Sequence, residues 1–138
     1  MKSLELMAYE KLIQLETLSL SSITENGYPY ICPMEKVMVN GLQQIYFITS
    51  KSSNKVKYFR KNEKAGVNYF LEDDTVSLSG IINIIEDVES KIITLPSQYV
   101  ERLRKRGSFK YCILEFITME AKIFINGKFE IVTYSRWV

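Results

Sequence analysis

The segment YFITSKSSNKVKYFRKNEKAGVNYF, residues 46–70, predicts a strand, a helix and a second strand in immediate succession. Its first apolar run ends at Ile48 and is followed by a short loop of hydroxyl and lysine side chains. Val56 and Phe59 then lie three residues apart, the spacing that places apolar side chains on one face of a helix. A strand pattern returns at residues 65–71. The chain therefore joins two strands here through one short helix.

The loop before this helix is dense in groups that bind anions. These groups belong to Thr49, Ser50, Lys51, Ser52, Ser53 and Lys55. A helix that begins at Ser52 or Ser53 presents unpaired N–H groups and a partial positive charge, so the junction can hold a phosphate. Spacing alone leaves two interpretations open. Either Thr49, Ser53 and Lys55 bind an anion, or one serine caps the helix while the lysines are solvated.

Three Asn-Gly pairs predict antiparallel hairpins along the chain. Both central residues of a type I′ turn need a positive φ, which Asn and Gly tolerate best. The pairs are Asn26-Gly27, Asn40-Gly41 and Asn126-Gly127. Together they predict an antiparallel meander.

The other strands and helices follow from the spacing of apolar residues. Strands are predicted at residues 17–23, 30–39 with an interruption at Pro33, 65–71, 75–86, and in a final hairpin over 111–134. Helices are predicted at residues 3–15 and between Asp87 and Arg106, the latter broken by Pro96. Gly80 predicts a bend or a close backbone approach within its strand. The sum is a mainly β, α+β fold, a small closed antiparallel barrel with peripheral helices.

The composition limits the classes of function. With 138 residues the chain is expected to form a single domain over residues 1–138, and its net charge of +2 argues against a dedicated duplex-DNA binder. The basic run RLRKRG at residues 102–107 suits the C-terminal end of a helix dipole. An alternative is a nucleic-acid-binding barrel that uses this run and exposed tyrosines, and the nearly balanced overall charge argues against it.

The absence of histidine excludes several catalytic and metal sites. Ser-His and Cys-His nucleophiles, histidine-bound zinc and a proximal-histidine haem all require a residue that this sequence lacks. Cys32 and Cys112 form no CxxC pair, so we expect buried thiols and no metal site. No apolar run approaches the roughly 20 residues of a membrane span, and a cytoplasmic location is expected. A bound cofactor would have to carry any reaction.

Three blocks of sequence resemble a known family. They are ENGYPYICPM at residues 25–34, the opening segment at 46–70, and VSLSGIINIIED at 76–87. Their succession resembles the pyridoxamine 5′-phosphate oxidase-like, FMN-binding split-barrel proteins, particularly the short general-stress-protein branch. The resemblance implies a six-stranded antiparallel split β-barrel with peripheral helices, and FMN as the cofactor.

The resemblance also implies roles for individual residues. In that family a Thr at the strand end and a Ser-x-Lys at the helix start grip the FMN phosphate, and the matching residues are Thr49, Ser53 and Lys55, with Ser50 beside them. Asn54 and Cys32 stand where the oxidases typically have arginines. The phosphate grip is therefore short of cations, and Lys36 or Lys51 are the residues considered as replacements.

The remaining implied contacts concern the flavin ring and a second subunit. By position, Pro33, Met34, Ile48 and Thr49 would lie near the ring. Family members complete the ring site from a second subunit, which implies a homodimer with flavin at the interface. Leu78 and Ser79 are the candidates for that contribution from the partner.

Two functions remain after these observations. The first is an FMN-dependent oxidoreductase or reductase acting on a small molecule, with no catalytic side chain assigned because the flavin would carry the chemistry. The alternative is a non-catalytic carrier or sensor of flavin, haem or a related cofactor, which the missing cations favour.

Overall fold

The computed structural model describes residues 2–135. The seven strands in this range form one antiparallel sheet. The strands are β1 (Thr17–Ile23), β2 (Pro29–Asn40), β3 (Gln44–Ser50), β4 (Lys64–Leu71), β5 (Asp74–Ile85), β6 (Tyr111–Ile125) and β7 (Lys128–Thr133). The helices in the same range are α1 (Leu4–Gln14), α2 (Asn54–Lys61) and α3 (Ser97–Arg106), with 3-10 segments at Val88–Thr94 and Ser108–Lys110.

Pairing between β3 and β6 closes six of these strands into a barrel. The strand order is β3-β2-β1-β4-β5-β6-β7, and the additional β3–β6 ladder runs from Gln44 opposite Ile117 to Ser50 opposite Tyr111. Strand β7 pairs with β6 outside the ring. The closed six-stranded antiparallel barrel predicted from the sequence is confirmed, with β7 as an extra strand.

The barrel interior is filled by alternate side chains of its strands. Ile45 and Phe47 on β3 are fully buried, as are Leu114 and Phe116 on β6. Helices α1 and α2 add apolar side chains to the same cluster, namely Ala8, Leu12, Val56 and Phe59. Full burial of a large apolar side chain contributes about 1.5–3 kcal/mol, so this shared core fixes both helices on the barrel.

A second, smaller apolar cluster lies on the outer surface of the barrel. Val37 of β2 and Ile113 of β6 contact Val88, Leu95 and Leu103 there. The cluster therefore anchors α3 and the 3-10 segment before it against the outside of the sheet.

The three Asn-Gly pairs lie at hairpins, but only one has both residues at positive φ. Asn126 and Gly127 have φ values of 53° and 74°. In the other two turns only the glycine is at positive φ, with 84° for Gly27 and 59° for Gly41. The predicted hairpins are present, whereas a type I′ conformation is confined to the β6–β7 turn.

Strand β2 continues through Pro33, so the predicted interruption is wrong. Residues Pro29–Glu35 of β2 pair with β1 alone, and pairing with β3 begins at Lys36. A residue without an N–H group is tolerated where a strand is paired on one side only. The irregularity in β2 lies instead between Lys36 and Met38, where the strand takes β3 as its partner.

No helix within residues 2–135 combines the length and the apolar character needed to span a membrane; α1, the longest of them, has 11 residues.

Gly80 marks the predicted close backbone approach. The β5–β6 register shifts between Ser79 and Gly80, and a Cβ on Gly80 would lie 2.0 Å from the Ile117 carbonyl oxygen. A side chain at this position would force β5 and β6 apart.

Replacing Gly80 with alanine is expected to lower the free energy of unfolding by about 1–3 kcal/mol, because the added methyl group overpacks the β5–β6 contact. Urea denaturation measures the change. Gly66→Ala is the matched control, since its Cβ would lie 3.6 Å from the nearest atom, the Leu78 carbonyl oxygen. Gly66→Ala should leave stability unchanged or raise it by up to about 1 kcal/mol. Equal effects of the two substitutions would contradict the steric explanation.

Candidate functional site

The junction between β3 and α2 is held by backbone hydrogen bonds. The Lys51 N–H donates to the Lys110 carbonyl at 3.0 Å, and the Ser53 N–H donates to the Ser50 carbonyl at 3.1 Å. The Ser50 and Ser52 hydroxyls lie 2.9 Å apart and bond to each other. The loop is therefore ordered by contacts within the chain, and two of its hydroxyls are already paired.

Ser53 occupies the N-cap of α2 without acting as a side-chain cap. Its backbone is extended, at φ −67° and ψ 152°, but its hydroxyl accepts no cap hydrogen bond. The Oγ atom is buried and has no hydrogen-bond partner among residues 2–135. A buried hydroxyl normally has a partner because leaving it unpaired costs about 1–3 kcal/mol. The simple capping interpretation therefore leaves this group unexplained.

The other two predicted anion-binding groups are also uncommitted. Thr49 is 8 % exposed, and its hydroxyl makes no hydrogen bond within the described part of the chain. Lys55, the second residue of α2, forms no ion pair with any carboxylate in residues 2–135. The N–H groups of the first helical turn lack intrahelical acceptors as well. The junction thus presents several donors that the described residues do not use.

The electrostatics of Cys112 locate these groups relative to one another. Cys112 lies opposite Thr49 in the β3–β6 ladder. Burial raises the pKa of its thiol, the nearby positive charges of Arg60, Lys51 and Lys55 lower it, and the negative charge of Glu86 raises it. Because Arg60 is paired with Glu86, the positive charge that remains unpaired near the thiol opposite Thr49 is that of Lys51 and Lys55.

Arg60 lies on the exposed face of α2, and sequence reasoning did not assign it to the surroundings of the junction. Arg60 forms an ion pair with Glu86 just after β5 and also acts on Cys112. The sequence shows only that Arg60 lies four residues after Val56, whose side chain is buried. This spacing does not predict the ion pair of Arg60 with Glu86. Lys36 makes a different contact, since its ammonium donates to the Leu15 carbonyl.

The other predicted site residues are distributed over several faces. Asn54 is exposed as the first residue of α2, and Ile48 faces the outer cluster. Pro33 is exposed, whereas the neighbouring Met34 packs against the barrel core. Adjacent side chains on a strand point to opposite faces, so Pro33 and Met34 do not share a surface.

Leu78 and Ser79 are likewise separated by the alternation of β5. Leu78 is 2 % exposed and belongs to the barrel core, whereas Ser79 is exposed on the outside. Of this pair only Ser79 presents its side chain to the outer surface of the sheet. Thr49, Ser50, Ser53, Asn54 and Lys55 therefore lie along the β3–α2 junction, whereas Pro33, Met34, Leu78 and Ser79 lie on β2 and β5.

A groove between α3 and the outside of the barrel adjoins this junction. It has a volume of about 140 Å³, with an apolar floor formed by Val37, Ile48 and Leu103. Its rim carries the polar side chains of Glu35, Tyr99, Arg102, Arg106 and Tyr111. Ile48 directly precedes Thr49, and Tyr111 pairs with Ser50. The last residues of β3 thus contribute to both the junction and the groove, which sequence reasoning did not find.

Within residues 2–135, no group of three His, Cys, Asp or Glu side chains is arranged to hold a metal ion.

Comparison with known proteins gives one family match. The family model described as "Pyridoxamine 5'-phosphate oxidase" matches residues 8–123. A comparison with curated proteins found no match.

Several solved structures share the fold. A Clostridium acetobutylicum protein related to general stress protein 26 of B. subtilis is 21 % identical, with a TM-score of 0.80 over 93 % of this chain and 92 % of that chain. A heme binding protein from Mycobacterium smegmatis is 12 % identical, with a TM-score of 0.77 over 96 % of this chain and 59 % of that chain. An F420 reductase is 13 % identical, with a TM-score of 0.61 over 82 % and 94 % of the two chains. At these identities the likeness concerns the fold alone.

The two serine N-caps should respond differently to alanine. The Ser3 hydroxyl accepts the Leu6 N–H at 3.1 Å, so Ser3→Ala should lower the free energy of unfolding by about 1 kcal/mol. Ser53→Ala should leave the stability of the ligand-free protein unchanged or raise it slightly, because no bond is lost and a buried unpaired hydroxyl is removed. Urea denaturation compares the two variants. A loss at Ser53 as large as that at Ser3 would show that Ser53 is an ordinary cap.

Proposed function

The chain belongs to the pyridoxamine 5′-phosphate oxidase family, and from that premise we propose that it binds FMN and acts as a flavin-dependent oxidoreductase on a small molecule. The observation that carries the proposal is the buried Ser53 Oγ, which has no partner in the described chain and lies at the N-terminus of α2. A phosphate at this position would accept hydrogen bonds from that hydroxyl and from the first N–H groups of the helix.

The donor set of the junction fits a phosphate group. Thr49 and Ser53 supply hydroxyls, Lys55 supplies an uncommitted ammonium, and the helix dipole adds a partial positive charge. The arginines typical of the oxidases are absent at Cys32 and Asn54, and Lys51 supplies positive charge to the same strand end, whereas Arg60 is paired with Glu86. We infer that Lys51 compensates in part for the missing arginines.

In this proposal the chain binds and orients while the cofactor reacts. FMN, when bound, supplies transfer of a hydride or of single electrons, so no acid or base from the chain is required. Thr49, Ser53 and Lys55 hold the phosphate. Ile48, next to Thr49 in sequence but on the outer face of β3, lines the apolar groove beneath α3, where a small molecule or an electron donor would bind.

We also infer that a homodimer forms on the outer face of β1, β4 and β5. Ser79 and Ser21 lie on this face, and their small side chains permit close approach of a second subunit. Exposed Ile31 and Phe70 border the same face and would lose water-accessible apolar surface on association. Light scattering that gives only the 16.1 kDa monomer at micromolar concentration would contradict this inference.

The second candidate function is a non-catalytic carrier or sensor of flavin or haem. The fold shared with a heme binding protein favours it, as does the absence of both oxidase arginines. Because the chain has no histidine, a haem would need Tyr, Met or Cys as its protein ligand. Anaerobic addition of NADH or NADPH to the flavin-loaded protein separates the two functions. Bleaching with recovery in air supports the oxidoreductase, and failure with both donors supports the carrier.

Lys55→Ala is expected to weaken FMN binding by about 1–3 kcal/mol, since it removes a charge-assisted hydrogen bond to the phosphate. Riboflavin, which has the ring but no phosphate, should bind the variant and the parent protein equally. Quenching of flavin fluorescence during titration measures both affinities.

Lys57→Ala is the matched control on the same helix. Lys57 is exposed and lies two residues further along α2, so its removal changes the net charge equally without touching the proposed grip. It should alter FMN affinity by less than about 0.5 kcal/mol. If Lys55→Ala weakens FMN and riboflavin equally, or if the parent protein retains no FMN, the proposed phosphate grip is wrong.

A further inference from the structure

We propose that Glu35 determines the specificity of the groove beneath α3 and restricts it to uncharged molecules with a single aromatic ring. The inference builds on the proposed small-molecule site and names the class of molecule that it takes. The groove is formed by residues of this chain alone, so the inference about Glu35 does not require a bound cofactor.

Glu35 already occupies two of the donors that a substrate anion would use. Its Oε1 accepts the Tyr99 hydroxyl at 2.7 Å, and its Oε2 lies 3.9 Å from Nη1 of Arg102. The Arg102 guanidinium carbon also lies 5.3 Å from the centre of the Tyr99 ring, within the range of a cation–π contact. Glu35 is thus hydrogen-bonded to Tyr99 and forms a long, half-exposed ion pair with Arg102 at the mouth of the groove.

The backbone explains why these side chains meet. Tyr99 and Arg102 lie three residues apart on α3 and therefore share one face of the helix. Glu35 is the last residue of β2 that pairs with β1 before the strand takes β3 as its partner, and its side chain is exposed on the outside. The outer apolar cluster, which includes Val37 and Leu103, holds α3 against β2 at this point. The Glu35 carboxylate is thus brought to α3 by the packing of the fold.

The size and lining of the groove indicate one aromatic ring. Its volume of about 140 Å³ is close to the roughly 150 Å³ of an apolar cavity that binds benzene. Ile48, Val37 and Leu103 line it with apolar surface, and Tyr111 adds an aromatic side chain. An uncharged ring loses water from its faces on entering the groove and meets no unpaired polar group on the floor.

The charges of the rim act against both kinds of ion. An anion would have to displace the Glu35 carboxylate from Tyr99 and Arg102 to gain their hydrogen bonds, and repulsion by Glu35 opposes the attraction of Arg102 and Arg106 for it. A cation would meet the positive charges of Arg102 and Arg106. Arg106 is exposed as the last residue of α3, where the negative end of the helix dipole partly offsets its charge. An uncharged ring avoids these costs.

The test compares benzyl alcohol with benzoate, which share a ring and differ in charge. Saturation-transfer NMR and titration monitored by protein chemical shifts measure both affinities with the cofactor-free full chain. The parent protein should bind benzyl alcohol more tightly than benzoate, with shifts at Tyr99 and Tyr111. Glu35→Gln should raise the affinity for benzoate about tenfold, as expected when donors to a charged group are freed, and should change that for benzyl alcohol less than threefold.

Glu130→Gln provides the matched control, because Glu130 is exposed on β7 and its substitution makes the same change in net charge. It should leave both affinities unchanged. Tyr99→Phe combined with Glu35→Gln should remove a large part of the gain for benzoate, since the freed hydroxyl is then missing.

Three results would overturn the proposal. They are tighter binding of benzoate than of benzyl alcohol by the parent protein, equal effects of the two glutamate substitutions, and no binding of either ring to the groove. Flavin retention is measured separately. A failure of the groove with FMN still bound therefore contradicts only the inference about Glu35, and loss of FMN with the groove intact contradicts only the proposed cofactor.

Discussion

The pairing of β3 with β6 is the constraint on which the rest of the structure depends. It closes the sheet. Without it β3 would be an edge strand, and the core side chains of β3 would lose their neighbours on β6. The same ladder sets Thr49 against Cys112 and Ser50 against Tyr111. The pairing that closes the barrel therefore also fixes the position of the strand-to-helix junction. A slip of the β3–β6 register by one residue would move these side chains to the opposite faces of the sheet.

The alternation of side chains along β3 divides the candidate site into two compartments. Thr49 shares the inward face with Phe47 and lies near the start of α2, whereas Ile48 points outwards into the groove. An anion-binding end and an apolar groove are thus only one residue apart in sequence but lie on opposite faces of one strand. Because the sheet lies between them, this short segment serves two separate regions of the proposed function, the phosphate grip and the small-molecule groove.

Local features of the fold were readable from the sequence, and features that need two distant segments were not. The hairpins, the close approach at Gly80 and the apolar face of α2 follow from neighbouring residues. The continuity of β2 through Pro33 was mispredicted because it depends on which edge of the strand is paired, a property of the whole sheet. Tyr99 and Glu35 lie 64 residues apart in the sequence, so no local pattern predicts the hydrogen bond between them. The sequence also could not show that the Ser53 hydroxyl forms no cap hydrogen bond, because a serine at an N-cap usually accepts one from a backbone N–H of the first helical turn.

Pro33 has a consequence for how copies of this chain meet in solution at high concentration. Residues Pro29–Glu35 of β2 have a strand partner on one side only within the described chain, and the neighbouring Ile31 is exposed. An exposed, apolar strand edge is a template on which other chains can add strands and aggregate. A proline offers no N–H donor, so an added strand cannot form an unbroken ladder there. The proline is thus accommodated within the strand and protects the strand's open edge from intermolecular β-pairing.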